Sequence, residues 1–459
     1  MKASLDAEVP PSQPHVANVM SIVQPGIDKH RVLGMASSRT FGLNARAQQT
    51  SYGLPYEPVN LGSGSVFKIF TAATALEKGL GIDTLLPVPP SGYASPVYRD
   101  GGGRPIPVRN SGSYAPYLTM TDALAQSPNT AFVKLIERTG VPDVVDMAVR
   151  LGMRQLQTQQ VPRSGGRNYA EVIKAQRQAS FTLGVNPTSV LELANVGATL
   201  ASSGKWCPPS PIDSIIDSAG NPVPLTEAPC EQVVAPGLAN SLLRGMSKDD
   251  IPGGTAARAA AEVAWDRPMA GKTGTTQAHK SAAFFGVVPE MAGAVITFDN
   301  SSSPRPLCDG AGSPFACGSG NIFGGKTPAE TWFGAMKPIM AGKPITPLPA
   351  PDPRYVNGGS DRQVPDVRER SEKEARAILT RAGFRDVGVE KVDNAAPQGT
   401  VVGQDPLGPA LPGDRVTLLV STGEVPEAPP APGEDDNGGD NGDNGDNGDN
   451  GDNGGNGGN

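Results

Sequence analysis

A serine and a lysine three residues apart stand at the start of an apolar segment of this chain. Ser65 follows a short run of glycine and serine, and Lys68 lies in residues 66–80, a stretch rich in good helix formers. The free N–H groups at a helix start favour a developing negative charge, which suits Ser65 to act as a nucleophile. A serine nucleophile needs an adjacent base, and Lys68 can be that base because burial lowers the pKa of a lysine. The same residues also fit an ordinary serine cap followed by a surface lysine.

Two further short motifs lie downstream of Ser65. Ser-x-Asn occupies residues 127–129 and Lys-Thr-Gly occupies residues 272–274. Pro128 disfavours helical geometry at the residue before it, which predicts a tight loop between two helices; an alternative is that both polar side chains only cap helices. Three strands predicted within residues 268–299 would place Lys-Thr-Gly beside a cleft, where a strand can pair with an extended peptide. The three motifs in this order are the signature of serine enzymes that react with penicillin.

The chain resembles the transpeptidase domain of a class A penicillin-binding protein. Besides the motifs, the resemblance rests on VANVMSIVQPGIDKHRVLGMAS, which reads as a hairpin, and on NPTSVLELANVGATLASSGK, and it runs from about residue 16 to residue 340. It implies an α/β (α+β) fold of the penicillin-binding transpeptidase and serine β-lactamase type, with an antiparallel sheet, helices on both faces and a helical subdomain. The chain departs at Ile69, where many class A members have proline. Because position 69 lies inside the predicted helix, we expect the change to be tolerated.

The resemblance implies a D,D-transpeptidase that cross-links peptidoglycan stem peptides through a serine acyl-enzyme and that binds penicillin. It assigns catalytic roles to Ser65, Lys68, Ser127, Asn129 and Lys272, and substrate binding to Thr273, Gly274 and Thr275. The expected partners are peptidoglycan stem peptides, β-lactams and a separate glycosyltransferase, with no metal or organic cofactor. The expected location is the extracytoplasmic face of the bacterial plasma membrane, or the cell wall. Because no signal peptide, membrane anchor or glycosyltransferase domain is visible, we expect a fragment of a longer protein.

Three alternatives fit the same motifs. A D,D-carboxypeptidase would pass the acyl group to water instead of an amine. A non-catalytic sensor of peptidoglycan or β-lactams would use Ser65 only as a trap for its ligand, or not at all, and a truncated chain would be inert. A β-lactamase is disfavoured because no convincing hydrolytic glutamate is present. Glu192 is predicted to be an exposed or capping residue of an apolar helix.

Composition and motif searches argue against other classes of function. The 459 residues carry a formal net charge of −7 and no cluster of lysine and arginine stands out, which argues against nucleic-acid binding. The three histidines are scattered and no Gly-x-Ser-x-Gly elbow occurs, so a Ser-His-Asp hydrolase is not expected. Residues 320–327 match the phosphate-loop pattern, but no hydrophobic strand precedes them. We therefore interpret residues 327–330 as a helix capping box.

The four cysteines are Cys207, Cys230, Cys308 and Cys317. Their spacing matches no zinc-ligand pattern. For a protein that works outside the cytoplasm, as the resemblance implies, Cys207–Cys230 and Cys308–Cys317 are the natural local disulfide pairs. Reduced, buried cysteines are the alternative.

Five segments are predicted along the chain. Residues 1–14 are polar and proline-rich, which indicates a linker remnant, and residues 15–342 are predicted to form the transpeptidase domain. Residues 343–361 are predicted to be a proline- and glycine-rich linker. Residues 362–423 resemble one PASTA domain, through VPDV, a capped helix, the QDP turn and VTLLVSTG. Residues 424–459 repeat Asp-Asn-Gly and are predicted to be a disordered acidic tail.

Overall fold

The computed structural model describes residues 1–99, 103–276, 279–307, 324–359 and 362–424. Its helices are α1 (Lys2–Glu8), α2 (Lys68–Glu77), α3 (Met120–Gln126), α4 (Asn129–Thr139), α5 (Val141–Leu151), α6 (Gln155–Thr158), α7 (Tyr169–Ala175), α8 (Val190–Ala201), α9 (Pro236–Gly245), α10 (Ala257–Glu262), α11 (Thr327–Met340), α12 (Pro353–Asn357) and α13 (Glu372–Arg381). Among these described residues, no helix is both long enough and apolar enough to cross a lipid bilayer.

The strands are β1 (Val16–Gln24), β2 (His30–Ser37), β3 (Leu85–Pro87), β4 (Tyr93–Arg99), β5 (Pro105–Val108), β6 (Tyr117–Thr119), β7 (Lys205–Trp206), β8 (Pro209–Ser210), β9 (Ile215–Ile216), β10 (Pro222–Val223), β11 (Glu231–Gln232), β12 (Ala270–Thr275), β13 (Ser281–Val288), β14 (Met291–Asp299), β15 (Arg362–Gln363), β16 (Val387–Val392), β17 (Val401–Asp405), β18 (Pro409–Ala410) and β19 (Val416–Ser421). Short 3-10 turns span Ala45–Ala47, Gly64–Phe67 and Ala179–Leu183.

A six-stranded sheet forms the centre of the larger unit, in the order β12-β13-β14-β1-β2-β8. Its neighbouring strands are antiparallel except for β2 and β8. β1 and β2 form the predicted hairpin, and β12, β13 and β14 form the predicted succession of three strands. Pairing of β1 with β14 joins the beginning of the domain to its end, which the order of the strands along the chain does not reveal.

Helices cover both faces of this sheet, as the resemblance implied. Alternate residues of β1 face opposite sides, so Val19 and Val23 pack in the core that contains α8, whereas Met20 and Ile22 pack in the core that contains α11. Because both faces are covered, β13 and β14 are buried at every position. This explains why their sequences are continuous apolar runs instead of alternating patterns.

A helical subdomain surrounds α2, the helix that begins at Lys68. Residues 68–76 of α2 are all buried, and the helix contacts α4, α5 and α9. The helix ends at Glu77, and Gly79 with a φ of +105° lets the chain turn away. A helix packed on all sides provides a rigid base for the side chains at its first turn.

Two segments predicted as linkers contribute to the folded domain. Residues 2–8 form α1, which packs against α11 with Leu5 fully buried. Residues 353–357 form α12, where Tyr355 and Val356 accept backbone hydrogen bonds from Ile82 and Asp83. The linker prediction is wrong for these residues. Their polar and proline-rich composition does not show that distant parts of the chain supply backbone and apolar partners.

Residues 362–424 form a second, smaller unit. Helix α13 packs with a three-stranded sheet in the order β16-β19-β17. The predicted capping box is confirmed, because Ser371 Oγ accepts a hydrogen bond from the Glu374 N–H and the Glu374 carboxylate accepts one from the Ser371 N–H. The unit contacts the larger one: Leu411 belongs to the core around α2, and the Asp414 carboxylate lies 3.5 Å from the Arg138 guanidinium.

One predicted disulfide is present. Cys207 and Cys230 are joined beside β7 and β11, which pair with each other, so the prediction of this local pair is confirmed. The bond closes a loop of short strands that has little core of its own, and a covalent link of this kind restricts the unfolded chain. Cys308 and Cys317 lie outside the described residues, and their predicted pairing stays a prediction.

Candidate active site

Ser65 lies on a 3-10 turn that leads directly into α2. Gly64, Val66 and Phe67 of this turn are buried, whereas Ser65 is partly exposed. The Phe67 ring makes edge-to-face contacts with the rings of Phe70 and Phe181 and anchors the turn in the core. The sequence predicted an α-helix from residue 66. The structure has a tighter turn there, which presents Ser65 at the surface while its neighbours stay in the core.

Glycine residues let three chain segments meet closely around Ser65. The Gly64 N–H donates to the Gly184 carbonyl at 3.1 Å, and a Cβ atom on Gly64 would lie 2.4 Å from the Thr275 nitrogen. A Cβ atom on Gly274 would lie 1.9 Å from the Ser63 carbonyl oxygen. The Lys-Thr-Gly strand β12 therefore packs directly on the turn that carries Ser65. We predicted that Gly274 lets a substrate approach, but its bare face is turned toward the protein's own backbone.

Lys68 is fully buried at the first turn of α2. Its Nζ lies 2.7 Å from the Ser127 carbonyl oxygen and 2.8 Å from Asn129 Oδ1, both of which accept from it, and 3.1 Å from Ser127 Oγ. Burial lowers the pKa of Lys68 well below its ordinary value, and the nearby Lys272 lowers it further. The alternative of a surface lysine is excluded, and the amine has the environment that a general base needs.

Ser127 connects the two lysines. It follows α3 and has a φ of +64°, a left-handed conformation that residues other than glycine adopt at a cost. Its Oγ lies 3.1 Å from Lys68 Nζ and 2.9 Å from Lys272 Nζ. The backbone conformation thus holds one hydroxyl between two amines, and the three short motifs converge at this atom.

Asn129 bridges α4 and the loop that precedes α3. Its Oδ1 accepts from Lys68 Nζ, and its Nδ2 donates to the Arg109 carbonyl at 2.9 Å. Helix α4 begins at Asn129 itself, and the Asn129 side chain makes no cap. The alternative that Ser127 and Asn129 only cap helices is therefore wrong, because both side chains bind Lys68.

Lys272 is also fully buried, and a carboxylate lies near it. Burial lowers the pKa of Lys272 to about 8, although the negative charge of Asp249 raises it in part. Its Nζ donates to the Thr273 carbonyl at 3.0 Å as well as to Ser127. Two close amines that are both buried cannot easily both carry a proton. The arrangement favours a charged Lys272 beside a neutral Lys68, since only Lys272 has a carboxylate nearby to stabilise its charge.

A cleft of about 860 Å³ opens beside these motifs. Gln126, which precedes Ser127, lines it, as does Thr255, whose Oγ1 is hydrogen bonded to Thr273 Oγ1. The far end of the Lys-Thr-Gly strand carries Thr275, and its Oγ1 accepts from the Gly324 N–H at 3.3 Å. The cleft thus lies next to Ser127 and Thr273 through Gln126 and Thr255.

The segment with the phosphate-loop pattern contacts the same strand. Residues 320–323 lie outside the described part of the chain, but a Cβ atom on Gly324 would lie 2.6 Å from the Gly274 nitrogen. Helix α11 begins at Thr327 itself, and the Glu330 carboxylate pairs with Arg258. The predicted capping box at residues 327–330 is therefore wrong, because Thr327 is already helical and its acidic partner is engaged elsewhere.

Glu192 differs from its prediction as an exposed or capping residue. Its side chain is half-buried in α8, and Ser189 caps the helix instead. Burial raises the pKa of Glu192 to about 8, while the Gln155 N–H, which donates to its carboxylate at 2.9 Å, lowers it in part. It lines a separate cavity of about 290 Å³ with Tyr52 and Tyr56. The residues around Glu192 are thus different from those around the three motifs.

Sequence reasoning missed Asp249 and Thr255 as neighbours of the site. Asp249 is fully buried, and Thr255 links it to Thr273 through hydrogen bonds. The stretch of residues 249–255 (DDIPGGT) has the composition of a turn, and such a stretch carries no sequence signal for a buried acid. Only the position of this loop against β12 brings the carboxylate to the motif lysine.

Comparison with known proteins identifies the family. The pattern of the penicillin-binding protein transpeptidase domain matches residues 27–301, more than half of the chain, and the PASTA domain pattern matches residues 362–422. The chain therefore belongs to the penicillin-binding protein transpeptidase family and carries a PASTA domain. Both resemblances drawn from the sequence motifs are confirmed.

Individual relatives agree with this assignment. Penicillin-binding protein 1A of Neisseria flavescens is 28% identical over 342 residues, which cover 73% of this chain and 38% of the relative. Penicillin-binding protein 1A of Mycolicibacterium smegmatis is 25% identical over 332 residues, which cover 68% of this chain and 38% of the relative. The chain thus spans less than two-fifths of the length of these curated relatives.

Solved structures share the fold. The penicillin-binding protein PonA1 from Mycobacterium tuberculosis matches with a TM-score of 0.60 and 22% identity over 78% of this chain and 84% of that chain. PonA1 in complex with penicillin V matches with a TM-score of 0.59 and 22% identity, over 78% and 86% of the two chains. The penicillin-binding transpeptidase fold predicted from the sequence is confirmed.

Proposed function

We propose that this chain is a D,D-transpeptidase that uses Ser65 as its nucleophile. The observation that carries the proposal is the placement of Ser127 Oγ within 3.1 Å of Lys68 Nζ and 2.9 Å of Lys272 Nζ, beside the turn that bears Ser65. Such a hydroxyl between two amines can move a proton from one side of a reaction centre to the other. The peptidoglycan stem peptide, which ends in two D-alanines, is the substrate expected for this family.

Acylation begins at Ser65. The neutral amine of Lys68 accepts the proton of Ser65 Oγ while this oxygen attacks the carbonyl between the two terminal D-alanines. The backbone N–H groups of Ser65 and Thr275 form the oxyanion hole, an effect typically worth about 3 kcal/mol. The close packing of Gly64 on Thr275 supports this role, because it brings the backbone of Thr275 next to the turn that carries Ser65.

The leaving amine receives its proton from Ser127. Ser127 Oγ donates to the nitrogen as the peptide bond breaks, and the proton held by Lys68 replaces the one donated, along their 3.1 Å contact. Asn129 positions Lys68 and the substrate amide. The charged Lys272, with the hydroxyl groups of Thr273 and Thr275, holds the terminal carboxylate, and Gly274 keeps the strand close to Ser65.

Deacylation decides the product. An amine of a second stem peptide takes the acyl group and forms a cross-link, whereas water would make the chain a D,D-carboxypeptidase. β-Lactams acylate Ser65 and remain bound. We expect the reaction to take place at the extracytoplasmic face of the bacterial plasma membrane, on glycan strands supplied by a separate glycosyltransferase.

Labelling with a fluorescent penicillin tests the nucleophile. We expect the purified chain to carry a label that survives denaturing electrophoresis, and Ser65→Ala to carry none. Ser63→Ala is the matched control, because Ser63 is two residues away, fully buried, and its Oγ has no hydrogen-bond partner among the described residues. A folded chain that stays unlabelled would contradict the proposal. Analysis of the products from a stem peptide with an acceptor amine then separates cross-linking from hydrolysis.

The pH dependence of labelling tests the charge on Lys272. Because burial lowers the pKa of Lys272 to about 8, its positive charge is present below pH 8 and is lost as the pH rises above it. We expect the acylation rate with a carboxylate-bearing penicillin to fall roughly tenfold or more across this range. Lys272→Arg keeps a charge at every pH tested and should lack the fall. An identical fall in this variant would show that another group is responsible.

A further inference from the structure

Asp249 is a buried carboxyl group without a complete set of partners. It is fully buried, and its Oδ1 accepts from the Thr255 N–H at 3.1 Å and from Thr255 Oγ1 at 2.5 Å. Its Oδ2 has no hydrogen-bond partner among the described residues. An ionised carboxylate is costly to bury with one oxygen unpaired. The structure thus contains a group whose charge is only partly stabilised, next to the strand that carries Lys-Thr-Gly.

A chain of hydroxyl groups connects Asp249 to the cleft. Thr255 Oγ1 is hydrogen bonded both to Asp249 and to Thr273 Oγ1, and Thr255 lines the cleft. A hydroxyl group has one hydrogen to donate, so the two bonds of Thr255 must run in one direction. When Asp249 is ionised, Thr255 donates to it and Thr273 donates to Thr255. When Asp249 holds a proton, it donates to Thr255, Thr255 donates to Thr273, and the Thr273 hydrogen is free to donate to a ligand.

We propose that Asp249 is a positioning residue for carboxylate recognition, which sets the direction of the Thr273 hydroxyl through Thr255. With a proton on Asp249, Thr273 donates to the carboxylate of the ligand. Without this proton, Thr273 turns its hydrogen inward and presents oxygen lone pairs to a negative charge. The inference rests on the proposed function, in which Thr273 helps to hold the terminal carboxylate, and it adds a proton that is taken up when the ligand binds.

The charged neighbours of Asp249 determine how readily it holds this proton. Burial raises the pKa of Asp249, whereas Lys272 on β12, the hydrogen bonds of Thr255 and the nearby backbone N–H of Thr273 lower it. Asp250 beside it on the loop is a second acid whose own pKa is raised to about 6, mainly by burial and in part by Asp249. A ligand carboxylate adds another negative charge close to Lys272, which favours the protonated form of Asp249 further.

The test compares a fluorescent penicillin with its methyl ester, which lacks the negative charge. The acylation rate of each is measured as a function of pH, and their ratio isolates recognition of the carboxylate. In the wild type we expect this ratio to rise roughly tenfold as the pH falls and Asp249 takes up its proton. Thr255→Val breaks the hydroxyl chain and should remove this rise in the ratio. The decrease in the acylation rate that follows from loss of the Lys272 charge at higher pH should remain. Thr255→Ser restores the hydroxyl and should behave as the wild type.

The outcomes separate this inference from the proposed function. The inference is overturned if the ratio of acid to ester rates rises equally in Thr255→Val and in the wild type. It is also overturned if this ratio does not change with pH in the wild type. Neither result affects the assignment of Ser65 as the labelled nucleophile. No labelling by either compound contradicts the proposed function itself. The ester rate serves as the control for folding, because a merely structural role of Thr255 would slow the acid and the ester equally. If Thr255→Val does not fold, a pH-indicator dye with the wild type gives the second readout. The measurement is made well below pH 8, where Lys272 already carries its proton. Greater proton uptake with the acid than with the ester then supports the inference, and equal uptake overturns it.

Discussion

Replacement of Lys68 by methionine is expected to slow acylation by penicillin on the order of 10³-fold, the typical contribution of a positioned general base. Methionine has a similar length but cannot accept the proton of Ser65, and it leaves Ser127 Oγ in contact with Lys272 alone. The rate is measured by stopped-flow mixing with a fluorescent penicillin or, for slow variants, by timed gel labelling. A rate close to the wild type in a folded Lys68→Met protein would show that another group is the base.

The same substitution at the other end of α2 provides the control. Lys78 is nearly buried, and its Nζ lies 2.7 Å from the Asp143 carboxylate. Lys78→Met removes this ion pair, so we expect it to lower the free energy of unfolding by about 1 kcal/mol and to leave the acylation rate unchanged. Thermal melting of both variants beside the wild type separates an effect on the fold from an effect on the chemistry.

Replacement of Gly274 by alanine is expected to reduce acylation about 100-fold and to destabilise the fold by about 3 kcal/mol. The new Cβ atom would lie 1.9 Å from the Ser63 carbonyl oxygen, closer than real Cβ contacts, and 3.0 Å from the Val66 nitrogen, which is also tight. Backbone atoms cannot rotate aside as a flexible side chain can, so β12 must move away from the turn. That movement displaces the Thr275 N–H from the carbonyl it is proposed to bind. Acylation rates and urea unfolding measure the two effects.

Gly271→Ala is the matched control on the same strand. Its Cβ atom would meet the Met269 Cε at 3.2 Å and Phe284 Cζ at 3.3 Å, contacts that a small movement of side chains relieves. We expect less than about 1 kcal/mol of destabilisation and nearly unchanged acylation. If both alanine variants behave alike, the close packing of Gly274 on the turn has no special part in the site.

The positions of the motif residues could be predicted because each motif is local. Ser65 and Lys68 are one turn apart at a helix start, so their proximity follows from helix geometry once the segment is recognised. The ordered succession of Ser-x-x-Lys, Ser-x-Asn and Lys-Thr-Gly then predicted that distant segments share one site, and the contacts of Ser127 Oγ place them together.

Other features could not be predicted because they depend on contacts across the chain. Asn129 looked like a cap, since the sequence does not show that Lys68 would reach it from another helix. Polar residues 1–14 looked like a linker, although a few apolar side chains hold α1 on α11. Gly274 looked suited to the approach of a substrate, but the backbone that approaches it belongs to the protein itself.

The sequence by itself predicted the class of chemistry, because the residues proposed as nucleophile, base and carboxylate binder lie in short motifs whose residue types have few other uses in that order. It also determined the strands of the sheet and the PASTA-like unit, whose apolar patterns and capping box are local. The tertiary structure alone decided the electrostatics of the site. Burial of Lys68, Lys272 and Asp249 comes from segments far apart in sequence. Burial lowers the pKa of both lysines and raises that of Asp249, and the charge of Asp249 partly offsets the effect of burial on Lys272.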